Sequence, residues 1–156
     1  AIGATTAVPI GGDFQYKDMG SIDWAFIVGK SHSLATLFHT LQVPELVHFP
    51  SICLEDSSRE ILQRTTWLLP NQRRLVVPDW QQAINCAILG LGIGYVPRHL
   101  VLPYIKSGEL IEKRIIDAKP PSPCCLAWRT HKNSPALQWV LEYLGDSEKL
   151  HKEWIA

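Results

Sequence analysis

The chain has no apolar run approaching the ~20 residues that a membrane-spanning helix needs, and it has no excess of charge of either sign. Fifteen Lys and Arg balance fifteen Asp and Glu. The first absence argues against a helical membrane span. The second removes the surplus positive charge with which a nucleic-acid-binding surface neutralises phosphates, so this chain alone is not expected to bind DNA. The four cysteines, Cys53, Cys86, Cys124 and Cys125, make neither a CxxC pair nor a Cys/His zinc spacing. Cys124 and Cys125, adjacent in an expected strand, would point to opposite faces, which suits neither a shared metal nor an easy disulfide. No metal and no cofactor are expected, and a reducing cytoplasm fits the free thiols. There is no G-x-S-x-G elbow and no H-E-x-x-H, and the histidines are scattered at 32, 39, 48, 99, 131 and 151, mostly as surface or loop residues. No enzyme is expected.

What remains is ordinary globular material: 46% hydrophobic and 19% charged over 156 residues, enough for one compact domain or two small lobes sharing a core. No initiator Met and no charged segment leading into an apolar signal stretch are present. The opening "AIGATT" reads as the end of a strand entered in mid-fold, as in a fragment.

Along the chain, "SIDWAFIVG" alternates Ile22, Trp24, Phe26 and Val28 against Asp23 and its neighbours, predicting a strand with one strongly apolar face. After the polar break "KSHS", a short apolar run at Ile52 to Leu54 precedes Ser57 and, three residues on, Glu60, a capping box that starts a helix. The arrangement repeats at Leu75 to Val77, with Asp79 as N-cap and Ala83, Ile84, Ala87, Ile88 and Leu91 on one stripe. "IGYV" is then a short strand, Pro97 opens a further helix and Gly108 caps it. "LIEKRIID" and "CCLAWRT" read as strands separated by the stiff "AKPPSP". Ser134 and Pro135 start a last helical segment with Leu137, Val140, Leu141 and Leu144 as its core stripe and a break at Gly145. Strands alternating with helices at these spacings predict an α/β architecture.

"AILGLGIGYVP" resembles a phosphate loop in composition but not in order. A phosphate loop runs from strand to glycines to helix, so that free helix N–H groups face the anion. Here a helix ends at Gly90, the glycines follow, and a strand comes next, which leaves the partly negative helix C-terminus at the glycines. A tight helix-to-strand turn is expected, with Gly90 at positive φ.

Two strand-to-helix junctions carry similar polar chemistry, "LEDSSR" at 54–59 and "VPDWQQ" at 77–82. In an open α/β sheet, ligands collect outside the carboxyl ends of the strands, where helix N–H groups and short polar side chains converge. Asp56, Ser57, Ser58 and Asp79 can hydrogen-bond such a ligand, and Trp80 can offer it an aromatic face. Acidic residues there disfavour a phosphate and suit the N–H and O–H donors of a neutral polar molecule. The alternative roles are helix capping by Asp79 and packing by Trp80.

With these residues in view, "AIGA", "WAFIVGKSHSLA", "DWQQAINCAILGLGIGYVPRHLVLPYIKSGEL" and a final strand followed by a capped helix resemble, in order and over essentially the whole chain, the effector-binding domain of LysR-type transcriptional regulators. "EDSSR", "TTWLLPNQRRLVVPDW", "CCLAWR" and "SPALQWVLEYLGDSE" resemble the branch responsive to purine nucleosides, with allantoin-responsive regulators more distant. The resemblance implies a two-lobed, type 2 periplasmic-binding-protein-like α/β fold with an incomplete first lobe. Residues 1–24 and 117–156 would form the first lobe with the crossover strands, and 25–116 the second. It implies a small effector, of purine nucleoside type, held between lobes by Ala4, Thr5, Asp56, Ser57, Ser58, Asp79 and Trp80, with Trp67 as a second stacking candidate. It further implies a dimer or tetramer of the full-length protein, and DNA binding only through a winged helix-turn-helix domain that this chain lacks. Two other readings are an exported solute-binding protein of the same fold and a small α/β enzyme using Asp79 or His99.

Overall fold

The computed structural model describes residues 2–5, 13–55, 66–130 and 134–155, with the backbone alone at 2–5. The chain divides into two compact units, one made of Ala1–Asp23 with Pro121–Ala156 and the other of Trp24–Pro120.

In the first unit, β1 (Ile2–Thr5), β2 (Phe14–Ile22) and β8 (Ser122–Arg129) form an antiparallel sheet in the order β1-β8-β2. Strand β2 was not anticipated from sequence. Its polar and aromatic residues are largely exposed, and only Met19 is buried, so the period-two apolar signal is missing. The register of β2 shifts between Asp18 and Gly20. Gly20 has φ +89°, and a Cβ there would fall 2.4 Å from Nδ1 of His151. That nitrogen lies 3.0 Å from the carbonyl oxygen of Met19. Two helices complete the unit, Pro135–Leu144 and Ser147–Trp154. The first begins as expected, with Ser134 Oγ accepting from the amide of Leu137 and Pro135 in the first turn. Its stripe, however, is only half-buried at Leu137, Val140, Leu141 and Leu144. The core of the unit is instead filled from the following helix by Leu150 and from Ile155, packed on Met19, Cys124 and Leu126.

In the second unit, β3 (Trp24–Gly29) lies between β6 (Gly94–Pro97) and β7 (Leu110–Glu112), antiparallel to both. Beside them β4 (Ser51–Leu54) and β5 (Arg74–Val77) pair in parallel, and a parallel bridge from Ser51 to Ile93 joins β4 to the start of β6. Strand β3 is buried on both faces, not one. Ala25 and Ile27 enter one core cluster, Phe26 and Val28 another, as a central strand between two layers requires. The sequence stretch "LIEKRIID" yields only three strand residues. After Glu112 the Lys113 ammonium is drawn to the carbonyls of Ala35 and Leu37, and Ile115 makes a single bridge to Leu41.

Three helices of this unit are α1 (Val43–Leu46), α2 (Trp80–Ile88) and α3 (Arg98–Ser107). Helix α2 buries Ala83, Ile84 and Ala87 against the sheet and ends at Gly90, φ +72°, as the turn chemistry requires. Leu91 was assigned to the same stripe but is exposed, because the chain has already left the helix. Gly92 and Gly94 serve close approach: a Cβ would meet the Pro50 carbonyl oxygen at 2.7 Å and that of Ile52 at 3.1 Å, respectively. Gly108, φ +77°, caps α3. His32, in the loop after β3, is buried: its Nδ1 accepts from the amide of Leu34, and its ring lies against Phe49 at 4.4 Å between centroids.

Candidate functional site

The pairing pattern of the second unit places several chain reversals on one edge. Strands β4, β5 and β6 run the same way, so Leu54, Val77 and Pro97 end them at a common side. Strand β3 runs oppositely, and its first residue, Trp24, is paired with Pro97 at that side. Helices α2 and α3 begin there. This is the carboxyl edge at which α/β sheets gather ligands.

Asp79 sits at this edge with extended backbone, φ −151° and ψ 170°, and its Oδ1 accepts from the amide of Gln82 at 2.8 Å. It is therefore the N-cap of α2, and its exposed carboxylate retains acceptor capacity for further donors. The amide of Glu55, just past β4, donates to the carbonyl of Val77 at 2.9 Å, which holds the two junctions side by side. Asp56, Ser57 and Ser58, and with them the capping box at Ser57 and Glu60, lie outside the described residues. Ala4 and Thr5 belong to the first unit, on β1 opposite Leu126 and Cys125.

Trp80 is half-buried and takes the packing role considered for it. One side packs on the core cluster built around Ile84 and Val96. Its ring also meets that of Trp24, with centroids 5.7 Å apart and planes inclined at 58°. Trp67 is placed otherwise, edge-on to Phe26 at 5.1 Å and to Tyr95 at 6.0 Å in the second core cluster.

Two residues of the same neighbourhood were not selected from sequence. Trp24 read only as one apolar position of a strand, although its place at the first residue of β3 was the available signal. Lys119 lay in a proline-rich connection with no periodicity. Its ammonium is 3.9 Å from the centroid of the Trp24 ring and donates to the Thr66 carbonyl at 2.8 Å, while its amide donates to the Tyr95 hydroxyl at 2.8 Å. Burial lowers the Lys119 pKa below the usual lysine value and, against a smaller opposing effect of the Lys119 amide, raises that of Tyr95. At the start of α3, His99 has a buried Nδ1 without a hydrogen-bond partner among the described residues, and burial lowers its imidazole pKa. Arg98 is paired with Glu112 through Nη2 and Oε2 at 3.2 Å. No group of His, Cys, Asp and Glu among the described residues is arranged to hold a metal ion. The edge offers hydrogen-bond acceptors and indole rings, a set suited to recognising a flat polar molecule by stacking and hydrogen bonding.

Residues 2–149 match the family model described as the LysR substrate binding domain. The chain is 45% identical over 155 residues to the HTH-type transcriptional regulator PunR of Escherichia coli K12, covering 99% of this chain and 50% of that protein. It is 35% identical over 142 residues to the HTH-type transcriptional activator AllS of Salmonella paratyphi A, covering 91% of this chain and 46% of the relative. It thus spans about half the length of the curated relatives it matches. Among solved structures, the Synechocystis CcmR regulatory domain in complex with 2-PG superposes with a TM-score of 0.66 at 16% identity, over 99% of this chain and 75% of that one. That likeness bears on the fold, a mixed α/β arrangement of the periplasmic-binding-protein type.

Proposed function

Since the chain belongs to the LysR substrate binding domain family, we propose that it is the effector-sensing part of a longer DNA-binding transcriptional regulator, and that its second unit binds a small, flat, neutral polar molecule of the purine nucleoside class at the edge marked by Asp79 and Trp80. The observation that carries this reading is the convergence of three parallel strand ends with the capped start of α2, beside two indoles. Trp80 supplies a stacking surface, and the Asp79 carboxylate accepts from N–H or O–H groups at the rim of the ligand. An anionic ligand is disfavoured by Asp79 and Glu55 at the same edge. Asp56, Ser57 and Ser58 follow directly on Glu55 in sequence, and we assign them as further contacts. Binding then biases the protein between two arrangements by differential affinity, and the bias is read out by DNA-binding domains of an oligomer. Both relatives are named as transcriptional regulators, which favours this reading over export or turnover.

The test is thermal unfolding of the full-length regulator in the presence of adenosine, inosine, guanosine, hypoxanthine or allantoin. A ligand at about 100-fold its Kd adds about 2.7 kcal/mol of stability, enough for a clear rise in Tm. At least one nucleoside should raise Tm, and Trp80→Ala should remove the rise. If no purine shifts Tm, and Trp80→Ala changes none of the responses, the effector class and the site are both wrong.

A further inference from the structure

Trp24 is the first residue of the second unit, and Lys119 lies one residue before that unit ends at Pro120. These are the two places where the chain passes between units, Asp23 to Trp24 and Pro120 to Pro121. They are distant in sequence, yet the Lys119 ammonium lies 3.9 Å from the Trp24 ring centroid. The contact is anchored on both sides. Lys119 is held by its Nζ bond to Thr66 and its amide bond to the Tyr95 hydroxyl, and Tyr95 is itself buried, edge-on to Phe26 at 5.2 Å. Trp24 is held by its pairing with Pro97 and by the Trp80 ring. A continuous series of packed groups therefore runs from Trp80, through Trp24, to Lys119.

We propose that Trp24 and Lys119 are positioning residues for the effector site, the Trp24 indole holding Trp80 in place and the Lys119 ammonium tying both passages of the chain to that indole. This rests on the reading of Asp79 and Trp80 as the effector site. Close-packed side chains do not deform continuously, so an adjustment of Trp80 on ligand stacking displaces Trp24 as well. A cation over an indole is attracted to the ring face and has no equivalent partner once the ring tilts away. The displacement is thus felt at Lys119, on the second passage, without contact between ligand and lysine. A lysine that only packs would show no such linkage.

The test uses the full-length regulator with inosine and adenosine as probes and three measurements: nucleoside Kd by calorimetry, hydrogen exchange in segments 20–28 and 116–124 with and without nucleoside, and transcription from the operator. Lys119→Met keeps the length of the side chain and removes its charge. It is expected to shift nucleoside Kd severalfold, as the reciprocity of the coupling demands, to exchange faster at 116–124 even without ligand, and to lose most of the nucleoside-dependent change there together with induction. Lys119→Arg, which keeps the cation, should restore both. Trp24→Leu should weaken binding by about tenfold, a coupling of ordinary size, with Trp24→Phe in between. Wild-type exchange and wild-type induction in Lys119→Met would overturn the inference. Should neither nucleoside bind the unaltered protein, the reading of the effector fails separately. The ligand-free arm still decides: faster exchange at 116–124 in Lys119→Met, reversed in Lys119→Arg, supports the tie, and unchanged exchange refutes it.

Discussion

The carboxylate of Asp79 accepts the amide of Gln82 at 2.8 Å, so the residue that caps α2 also fixes the turn from which Trp80 projects. Two functions of one side chain can be separated by substitution. Asp79→Ala should cost about 1 kcal/mol of stability through the lost cap. Asp79→Ser, which caps nearly as well, should recover the stability but not the nucleoside affinity. Urea unfolding midpoints set against titration calorimetry distinguish the two effects. Parallel recovery of both would leave Asp79 with a capping role alone.

Gln72 is buried, and its bonds are all directed inward. Its Nε2 donates to the carbonyls of Leu46 and Phe49 at 3.1 and 2.9 Å, and its Oε1 accepts from the amide of Leu69 at 3.0 Å. Gln72→Leu fills the space but takes this partner from the Leu69 amide and the Phe49 carbonyl, at about 1–3 kcal/mol for each one left buried without another, while the Leu46 carbonyl keeps the Phe49 amide at 3.1 Å. We expect a large drop in the urea midpoint, with the m-value unchanged. A drop no greater than that of an exposed substitution such as Gln81→Leu would show that the two groups find water.

The glycines of "LGLGIG" should respond unequally. At Gly92 an added Cβ meets the Pro50 carbonyl oxygen at 2.7 Å and Ile52 Cγ1 at 2.9 Å, so Gly92→Ala should destabilise by about 1–3 kcal/mol through overpacking. At Gly90 space is open, and only the positive φ of +72° is demanding, so Gly90→Asn should be mild because Asn tolerates that conformation. Thermal unfolding of the two variants gives the order. The reverse order would disprove the close approach of the α2–β6 turn to β4.

Burial holds the His32 imidazole pKa below its ordinary value. The unfolded chain therefore takes up the proton first, and stability is complete above the ordinary imidazole pKa of about 6.5 and declines as pH falls below it, toward the lower value of the folded protein. His99 is shifted in the same direction by burial and contributes alike. Between pH 7.5 and 5.5, Tm should fall. His32→Asn, which can still accept from the Leu34 amide, should fall less, leaving the His99 share. An equal fall in both proteins would assign the pH dependence elsewhere.

Elements whose signal is local were legible in the sequence. The start of α2 follows from Asp79 and its stripe, and its end from Gly90. Pro97, Gly108, Ser134 and Gly145 also mark observed boundaries. What escaped depends on partners far away in the chain. Strand β2 has little apolar alternation because one bulge and one helix, through Met19, Gly20 and His151, define its inner side. The burial of both faces of β3 follows from sheet order, which periodicity does not encode. At the site, Asp79 and Trp80 announced themselves by residue type beside a helix start. Trp24 and Lys119 did not, since only pairing and packing bring residues 24, 80 and 119 together.

The strand order has a consequence for the chain as it is made. Ile2 pairs with Trp128, and Thr5 with Cys125, so β1 must wait for a partner that is made far later in the chain. Strand β3 likewise waits for β6 and β7, and the second unit cannot close until the ribosome has released residues beyond Glu112. Until then β3 is an apolar strand with two unpaired edges. Such long closures are slow, and an open strand of this kind is prone to pair wrongly. Nascent chains halted between Gly29 and Gly94 are therefore the species most dependent on a chaperone.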